Sequence, residues 1–127
     1  MDFRPRESST NYAYVNGHAV SRTSVAGYLS APLDLPQGAK VTRLTVFFDN
    51  TVAGNAGALS ITRYDLTGAI ADPVFVATTS VAGWHANSAD LSPAVAIDNS
   101  AYAYVLIWIP PANANALAGA RVEYTLP

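Results

Sequence analysis

Gly, Pro, Asn and Asp interrupt this chain at such short intervals that little room is left for a helix. Between the interruptions lie short runs rich in Val, Ile, Thr, Tyr and Phe, the residues that favour strands. Few stretches repeat apolar residues at the three- and four-residue spacing of an amphipathic helix. The sequence therefore predicts about ten short strands, over residues 11–15, 18–22, 25–33, 40–48, 57–64, 73–79, 85–91, 94–97, 101–109 and 118–126.

The segments between the predicted strands contain residues that suit tight turns. Asn16 and Gly17 supply the positive φ angles of a hairpin, and residues 35–38 place proline early and glycine late, as a β-turn requires. Residues 65–68 and 98–100 begin with an aspartate whose short side chain can cap a turn. Many short strands joined in this way predict an all-β fold, an antiparallel β-sandwich of the jelly-roll kind.

The chain length indicates one domain. A chain of 127 residues has a common domain size, and no composition shift or linker marks a second unit. We assign residues 11–127 to the sandwich and residues 1–10, which carry four charges, to a flexible arm. An alternative is that Phe3 anchors this arm on the sheet of a neighbouring subunit.

Charge is scarce, because half of the residues are apolar and only 13% are charged, about half the usual charged share. Surplus apolar surface is commonly buried against a partner subunit. The chain has one lysine and no basic run, so we expect no nucleic-acid partner. No apolar stretch reaches the roughly 18 residues of a membrane span, so we expect no membrane insertion. The first residues lack the apolar middle of a signal peptide.

Residues 101–109 predict a strand that is apolar on both faces. Tyr102 and Tyr104 share one face with Leu106 and Trp108, while the other face carries alanine, valine and isoleucine. A two-layer sandwich covers only one face, so the second face needs a loop, another element or another subunit. We predict a subunit interface that contains Phe47, Arg63, Tyr102 and Tyr104.

Arg63 shares a predicted strand face with apolar Leu59 and Ile61, where a charged side chain needs a partner. Asp65 and Glu123 are the candidate partners, within one chain or across a subunit boundary.

Signals for chemistry are missing from the sequence. His18 and His85 are isolated, no Asp-rich calcium loop is present, and no nucleophile elbow surrounds any serine. Glu7 and Glu123 are the only glutamates, in the predicted arm and on the outward face of a predicted strand, so we expect no glycosidase pair. We therefore expect no catalytic residues, no metal site and no cofactor, and we predict that the chain is not an enzyme.

Carbohydrate recognition is the second class of function that the sequence suggests, because exposed aromatic rings on β-sandwiches stack on sugar faces. Trp84 follows a glycine at a strand start and is followed by His85, so these two residues and Tyr28 are the candidate ligand-binding residues. The alternative for Trp84 is a place in the core or at its rim.

Three segments carry a resemblance: residues 30–44 (SAPLDLPQGAKVTRL), 97–106 (IDNSAYAYVL) and 117–126 (LAGARVEYTL). Together they resemble a family of small, uncharacterised β-sandwich modules of bacterial secreted or surface proteins. The motifs are turns and core strands, so the resemblance implies a secreted or cell-surface location and a fold, and no reaction.

The sequence thus leads to two functional hypotheses. The first is a structural or interaction module that associates with itself, with a cyclic homo-trimer as the leading assembly. The alternative is a carbohydrate-binding or adhesion module that acts as a monomer with glycans as partners. An exposed Trp84 favours the second hypothesis, whereas burial of Phe47, Tyr102 or Tyr104 between subunits favours the first.

Overall fold

The computed structural model describes residues 4–5, 12–15, 19–22, 28–50, 57–77, 81–109 and 116–127. These residues form ten strands: β1 (Arg4–Pro5), β2 (Tyr12–Val15), β3 (Ala19–Arg22), β4 (Leu29–Pro32), β5 (Lys40–Asn50), β6 (Ala58–Asp65), β7 (Ile70–Ala77), β8 (Gly83–Ala96), β9 (Tyr102–Ile109) and β10 (Ala116–Thr125). Sheet A has the order β1-β4-β9-β6-β7, and sheet B has the order β2-β3-β10-β5-β8. Every pairing within them is antiparallel. The predicted antiparallel β-sandwich of the jelly-roll kind is confirmed.

Apart from shifts of up to a few residues at strand ends, the predicted strands differ from the observed ones at two places. The stretches predicted over 85–91 and 94–97 form a single long strand, β8. In the arm predicted over residues 1–10, Arg4–Pro5 forms β1 at the edge of sheet A, where it pairs with Leu29 and Ser30 of β4. The sequence offered no periodicity over these two residues, because a two-residue strand is too short to show an alternation.

The core lies between the sheets and follows the period-two alternation of the central strands. Sheet A contributes alternate residues of β6 and β9, and sheet B contributes alternate residues of β5. Phe48 of β5 and Trp108 of β9 meet in the middle, with ring centroids 6.3 Å apart. The largest side chains with under 2% exposure are Trp108, Phe48, Leu29, Leu44, Leu59, Ile97, Leu106, Leu117, Val41 and Val46.

The predicted hairpin around Asn16-Gly17 joins two strands that do pair, with Val15 opposite Ala19 and Tyr14 opposite Val20. Asn16 and Gly17 themselves lie outside the described residues.

The β-turn predicted over residues 35–38 is displaced by one residue. The N–H of Ala39 donates to the carbonyl oxygen of Pro36 at 3.1 Å, so the turn spans residues 36–39. Gly38 occupies its third position with φ +79°, a conformation that favours glycine. Proline therefore opens the turn instead of taking its second position.

The two aspartate turns form as predicted. The Oδ1 atom of Asp65 accepts hydrogen bonds from the N–H groups of Thr67 and Ala69, at 2.8 and 3.0 Å. The Oδ1 atom of Asp98 accepts from the N–H and the hydroxyl of Ser100, at 3.1 and 2.5 Å. Both turns thus replace the missing backbone partners of a tight bend with a carboxylate.

Strand β9 is covered on both faces at its centre, as its sequence predicted. Its inward residues belong to the core, and on the outer face of sheet A Ile107 is only 4% exposed. Beside Ile107 lie Ser60 and Thr62, which are also buried and whose hydroxyl oxygens are 2.9 Å apart. This burial exists within one chain and needs no second subunit.

Candidate functional site

Three adjacent strands of sheet B, β8, β5 and β10, present the most varied surface among the described residues. Leu44, Val46 and Phe48 of β5 point into the core, so the residues between them point outward. The register then places their outward neighbours on β8 and β10 beside them. We call this surface the sheet-B face, formed by Arg43, Thr45, Phe47, Asp49, Trp84, Ala86, Ser88, Asp90, Gly119, Arg121 and Glu123.

One end of the sheet-B face is aromatic and apolar. Trp84 is 51% exposed and lies opposite Asp49. In the next row, half-buried Phe47 lies between Ala86 and Gly119. A Cβ atom at Gly119 would meet no atom within 4 Å, so the surface is open there. The small neighbours on both sides leave the Phe47 ring accessible from solvent between β8 and β10.

The middle of the face provides hydrogen-bonding groups. The hydroxyl oxygens of Thr45 and Ser88 lie 2.8 Å apart, and Thr45 is only 3% exposed whereas Ser88 is exposed. Arg121 stands on the other side of Thr45 and is exposed. This row therefore combines two hydroxyls, which donate and accept, with a guanidinium that carries five donor N–H groups.

The far end of the face is an ion-pair cluster that spans all three strands. The Nη1 atom of Arg43 lies 3.1 Å from Oδ1 of Asp90, and its Nε lies 3.6 Å from Oε2 of Glu123. The three side chains are 44%, 78% and 48% exposed, so water screens the pairs. The cluster fixes the direction of Arg43 and closes the face with charge.

The dimensions of the face follow from strand geometry. Arg43 and Asp49 are six residues apart on β5, which corresponds to about 20 Å at ~3.4 Å per residue. The aromatic end and the ion-pair end are therefore separated by the length of a short oligosaccharide, with the hydroxyl row between them.

The three sequence-predicted ligand-binding residues do not form one site. Trp84 lies on the sheet-B face, but His85 points inward, where its ring centroid is 5.7 Å from that of Phe48. The Nε2 atom of His85 lies 3.0 Å from the carbonyl oxygen of Ala82. Tyr28 is 37% exposed and precedes β4 in the other sheet. Of the three, the structure places Trp84 alone on this face.

The four sequence-predicted interface residues are also divided. Phe47 lies on the sheet-B face, whereas Arg63, Tyr102 and Tyr104 point to the inner side of sheet A. Tyr104 is 4% exposed within the single chain. Its hydroxyl accepts from the N–H of Asp98 at 2.9 Å and lies 3.2 Å from the carbonyl oxygen of Ala96. The burial expected between subunits for Tyr104 is therefore supplied by its own core.

Arg63 stacks on an aromatic ring: its guanidinium carbon lies 4.3 Å from the ring centroid of Tyr102. The two carboxylates that the sequence offered as partners have other contacts. Asp65 caps its turn through Thr67, and Glu123 lies near Arg43 on the sheet-B face. The Tyr102 ring thus stabilises the cation through a cation–π contact, a kind of partner that the sequence did not suggest.

Two aspartates among the described residues, Asp65 and Asp98, have a lowered pKa, and both lie in turns away from the sheet-B face. The Thr67 hydroxyl and the Ala69 N–H lower the pKa of Asp65 below 3.8. The Ser100 hydroxyl and the Gln37 side chain do the same to the pKa of Asp98. Hydrogen bonds to a carboxylate favour its charged form, so both groups stabilise turns.

Two other kinds of feature are absent from the described residues. Across the described residues, no group of three or more His, Cys, Asp or Glu side chains is placed to hold a metal ion. The part of the chain that the structure describes contains no helical segment with the length and hydropathy of a membrane span.

Sequence reasoning did not identify Arg43, Ser88, Asp90 and Arg121 as members of a site. The alternation of apolar and polar residues along β5 and β10 places Arg43 and Arg121 on the outward side of sheet B. The sequence does not reveal the order of the strands in the sheet. That order makes β8, β5 and β10 neighbours and so brings these side chains into shared rows.

Comparisons with known proteins agree on the fold. The chain matches the family 11 carbohydrate-binding module of the cellulosomal cellulase Lic26A-Cel5E of Clostridium thermocellum, with a TM-score of 0.55 and 14% identity over 99% of this chain and 88% of that one. It also matches the family 11 module from Clostridium thermocellum in complex with a β-1,3-1,4-mixed-linked tetrasaccharide, with a TM-score of 0.55 and 14% identity over 95% of this chain and 86% of that one.

Comparison by sequence gives no match. No protein-family description and no curated protein matches the chain. The resemblance to bacterial β-sandwich modules therefore holds for the fold, at low sequence identity.

Proposed function

We propose that this protein is a carbohydrate-binding module that binds a glycan on the sheet-B face and has no catalytic role of its own. The observation that carries the proposal is the position of Trp84, half exposed at one end of a face whose next row contains Phe47. Trp84, Phe47 and Ala86 adjoin one another on this face, and an exposed apolar patch rimmed by polar residues is typical of a binding site.

The chemistry of the face suits a sugar. A pyranose has apolar C–H faces that stack on aromatic rings, and a rim of hydroxyl groups that donate and accept hydrogen bonds. Trp84 and Phe47 supply the aromatic surface, while Ser88 and Arg121 supply exposed hydrogen-bonding groups one row beyond Phe47. The order of the rows lets one glycan use both kinds of contact.

The openness of the face supports binding without catalysis. Trp84 and the side chain of Asp90, at its opposite ends, are 51% and 78% exposed. Catalysis requires polar groups preorganised in a site from which water is largely excluded. An open, hydrated surface provides recognition instead.

The comparisons support the same function and an extracellular location. Both structural neighbours are carbohydrate-binding modules, one from a cellulosomal cellulase and one with a bound tetrasaccharide. They favour the second sequence hypothesis, the glycan-binding module, over self-assembly. Nothing in the comparisons supports the homo-trimer, and Tyr104 is buried inside its own chain. We therefore retain a monomeric module.

Calorimetric titration with a soluble β-1,3-1,4-mixed-linked glucan oligosaccharide tests the proposal. We expect saturable binding that Trp84→Ala weakens at least tenfold and Arg121→Ala weakens severalfold. Tyr64→Ala is the matched control, because it truncates a half-buried aromatic residue on the outer face of sheet A. Equal affinities for the parent protein and a folded Trp84→Ala variant would refute the assignment of the site.

A further inference from the structure

The second half of β10 is an open edge of sheet B. On one side residues 119–125 pair with β5, whereas on the other side β3 pairs only with Ala116 and Leu117. No other described residue pairs with the strand on that side. Residues 121–125 are exposed except for half-buried Val122. An unpaired edge of this kind offers a row of backbone N–H and C=O groups to a further strand.

The side chains of this open edge are sorted between its two faces. Arg121 and Glu123 point outward on the sheet-B face, while Ala120 and Val122 pack against the core cluster on the inner side. Tyr124 takes the next inner position but is 42% exposed, because the sandwich is open there. A strand added at this edge would therefore remove apolar surface from water as well as pair with the backbone.

The charges on this edge select one register for pairing with a second copy of the same strand. In an antiparallel pair of identical strands, outward side chains of both copies lie on one side only if the two-fold axis passes through a residue. An axis through Arg121 or through Glu123 places like charges opposite each other. An axis through Val122 places Arg121 of each copy opposite Glu123 of the other. The same register places the large ring of Tyr124 opposite small Ala120.

Both charged side chains are able to take part in such a pair. Arg121 is exposed and forms no ion pair with any residue that the structure describes. The Oε2 atom of Glu123 lies 3.6 Å from Nε of Arg43, whereas Asp90 lies closer to Arg43, at 3.1 Å. A carboxylate has two oxygens that together accept several hydrogen bonds, so Glu123 can serve a second guanidinium.

We propose that two copies of this chain associate through the open edge of β10, antiparallel and centred on Val122, so that their B sheets become continuous. One pair of short strands buries less than the roughly 1,200–2,000 Å² of stable interfaces, so the association is weak and reversible. The single chain remains the glycan-binding unit, because Trp84 lies on β8, two strands away from the joined edge. The association does not depend on glycan binding.

Sedimentation equilibrium of the whole chain without glycan, from micromolar to millimolar concentration, tests the proposal. We expect the average mass to rise with concentration from 13.3 kDa toward twice that value. Arg121→Glu places like charges opposite each other and should weaken the association at least tenfold, and Glu123→Arg should do the same. A mass that stays at 13.3 kDa up to millimolar concentration would overturn the proposal.

Exchange of the two charges identifies the register. The double variant Arg121→Glu/Glu123→Arg again places opposite charges across the axis and should associate as tightly as the parent within a few-fold. An equimolar mixture of the two single variants should associate more tightly than either variant alone, because each supplies the charge that the other lacks. Leu66→Arg changes the net charge at an 86% exposed position in the turn after β6 and should associate as the parent does.

The charge exchange also gives the results that would contradict this register. Single variants that associate as tightly as the parent, or a double variant that does not recover the association, would overturn the proposal. Circular dichroism verifies that each variant is folded. If a single variant does not fold, the double variant and the parent protein at high salt still decide the matter, because salt should weaken association through exposed ion pairs.

Discussion

Trp84 and His85 are neighbours in β8 but lie on opposite faces of sheet B. Trp84 is exposed beside Asp49, whereas His85 packs on Phe48 inside the sandwich with ring centroids 5.7 Å apart. Strand alternation separates them, so an aromatic and a histidine that are adjacent in sequence contribute to different environments. The residues that share the sheet-B face with Trp84 lie on the neighbouring strands β5 and β10 as well as on β8 itself.

The ion-pair cluster on the sheet-B face should contribute little to stability. Arg43 and its two carboxylate partners are 44–78% exposed, and exposed pairs contribute roughly 0–1 kcal/mol each. We expect Arg43→Met to lower the free energy of unfolding by about 1 kcal/mol or less, measured in urea, with a smaller effect at high salt. Arg121→Met is the control on the same face. A loss of roughly 3 kcal/mol for Arg43→Met would show that the cluster is structural.

Two glycines provide a clean comparison of backbone conformation. A Cβ atom at Gly68 or Gly119 would meet no atom within 4 Å, but only Gly68 has a positive φ, +84°. We expect Gly68→Ala to destabilise the fold by about 1–2 kcal/mol. Gly119→Ala should be neutral or stabilising by up to roughly 1 kcal/mol. Thermal unfolding measures both, and equal effects of the two substitutions would contradict the turn geometry.

The Tyr104 hydroxyl should contribute more to the free energy of unfolding than the Tyr102 hydroxyl does. It contacts the N–H of Asp98 and the carbonyl oxygen of Ala96, so Tyr104→Phe leaves two backbone groups without this partner. We expect a loss of about 1–3 kcal/mol in the free energy of unfolding. Tyr102→Phe keeps the ring that supports Arg63 and should change stability by less than about 0.5 kcal/mol. Equal losses would mean that the hydroxyl contacts do not stabilise the fold.

Acid should lower the stability of the fold by protonating Asp98, whose carboxylate caps the turn at residues 98–100. The Ser100 hydroxyl and the Gln37 side chain hold the pKa of Asp98 below 3.8 in the folded chain. The stability that this carboxylate contributes is therefore complete above about pH 4 and is lost as the pH falls through the lowered pKa. Unfolding measured between pH 7 and pH 2 should show a smaller acid-induced loss in Asp98→Asn. Ser100→Ala should raise the pKa of Asp98 in a carbon-detected NMR titration, and an unchanged pKa would exclude the hydroxyl as its cause.

The fold was predictable because its main signals are local. Runs of β-branched and aromatic residues between turn residues predicted the strands, and the aspartates at 65 and 98 predicted their turns. The displaced turn at residues 36–39 shows the limit of such signals, since proline and glycine fit more than one frame.

The site was predictable only in part, because it depends on which strands are neighbours. Trp84 and Phe47 were each singled out, but as members of two different sites. Only the order β10-β5-β8 and its register join them with Arg121. Tyr104 shows a further limit, because an apolar strand face looks the same in sequence whether a core or a partner covers it, and here the core buries Tyr104.

The most direct test of the glycan-binding account follows the two indole N–H signals of the protein by NMR during a glycan titration. Trp84 is 51% exposed on the sheet-B face, whereas Trp108 is fully buried and serves as the internal control. The titrants are soluble oligosaccharides of mixed-linked β-glucan, cellulose, xylan and mannan. The account predicts that at least one of them shifts the Trp84 signal saturably and leaves the Trp108 signal in place. If no member of this panel moves the Trp84 signal at millimolar concentration, or if the shifts map only to sheet A, the account is contradicted.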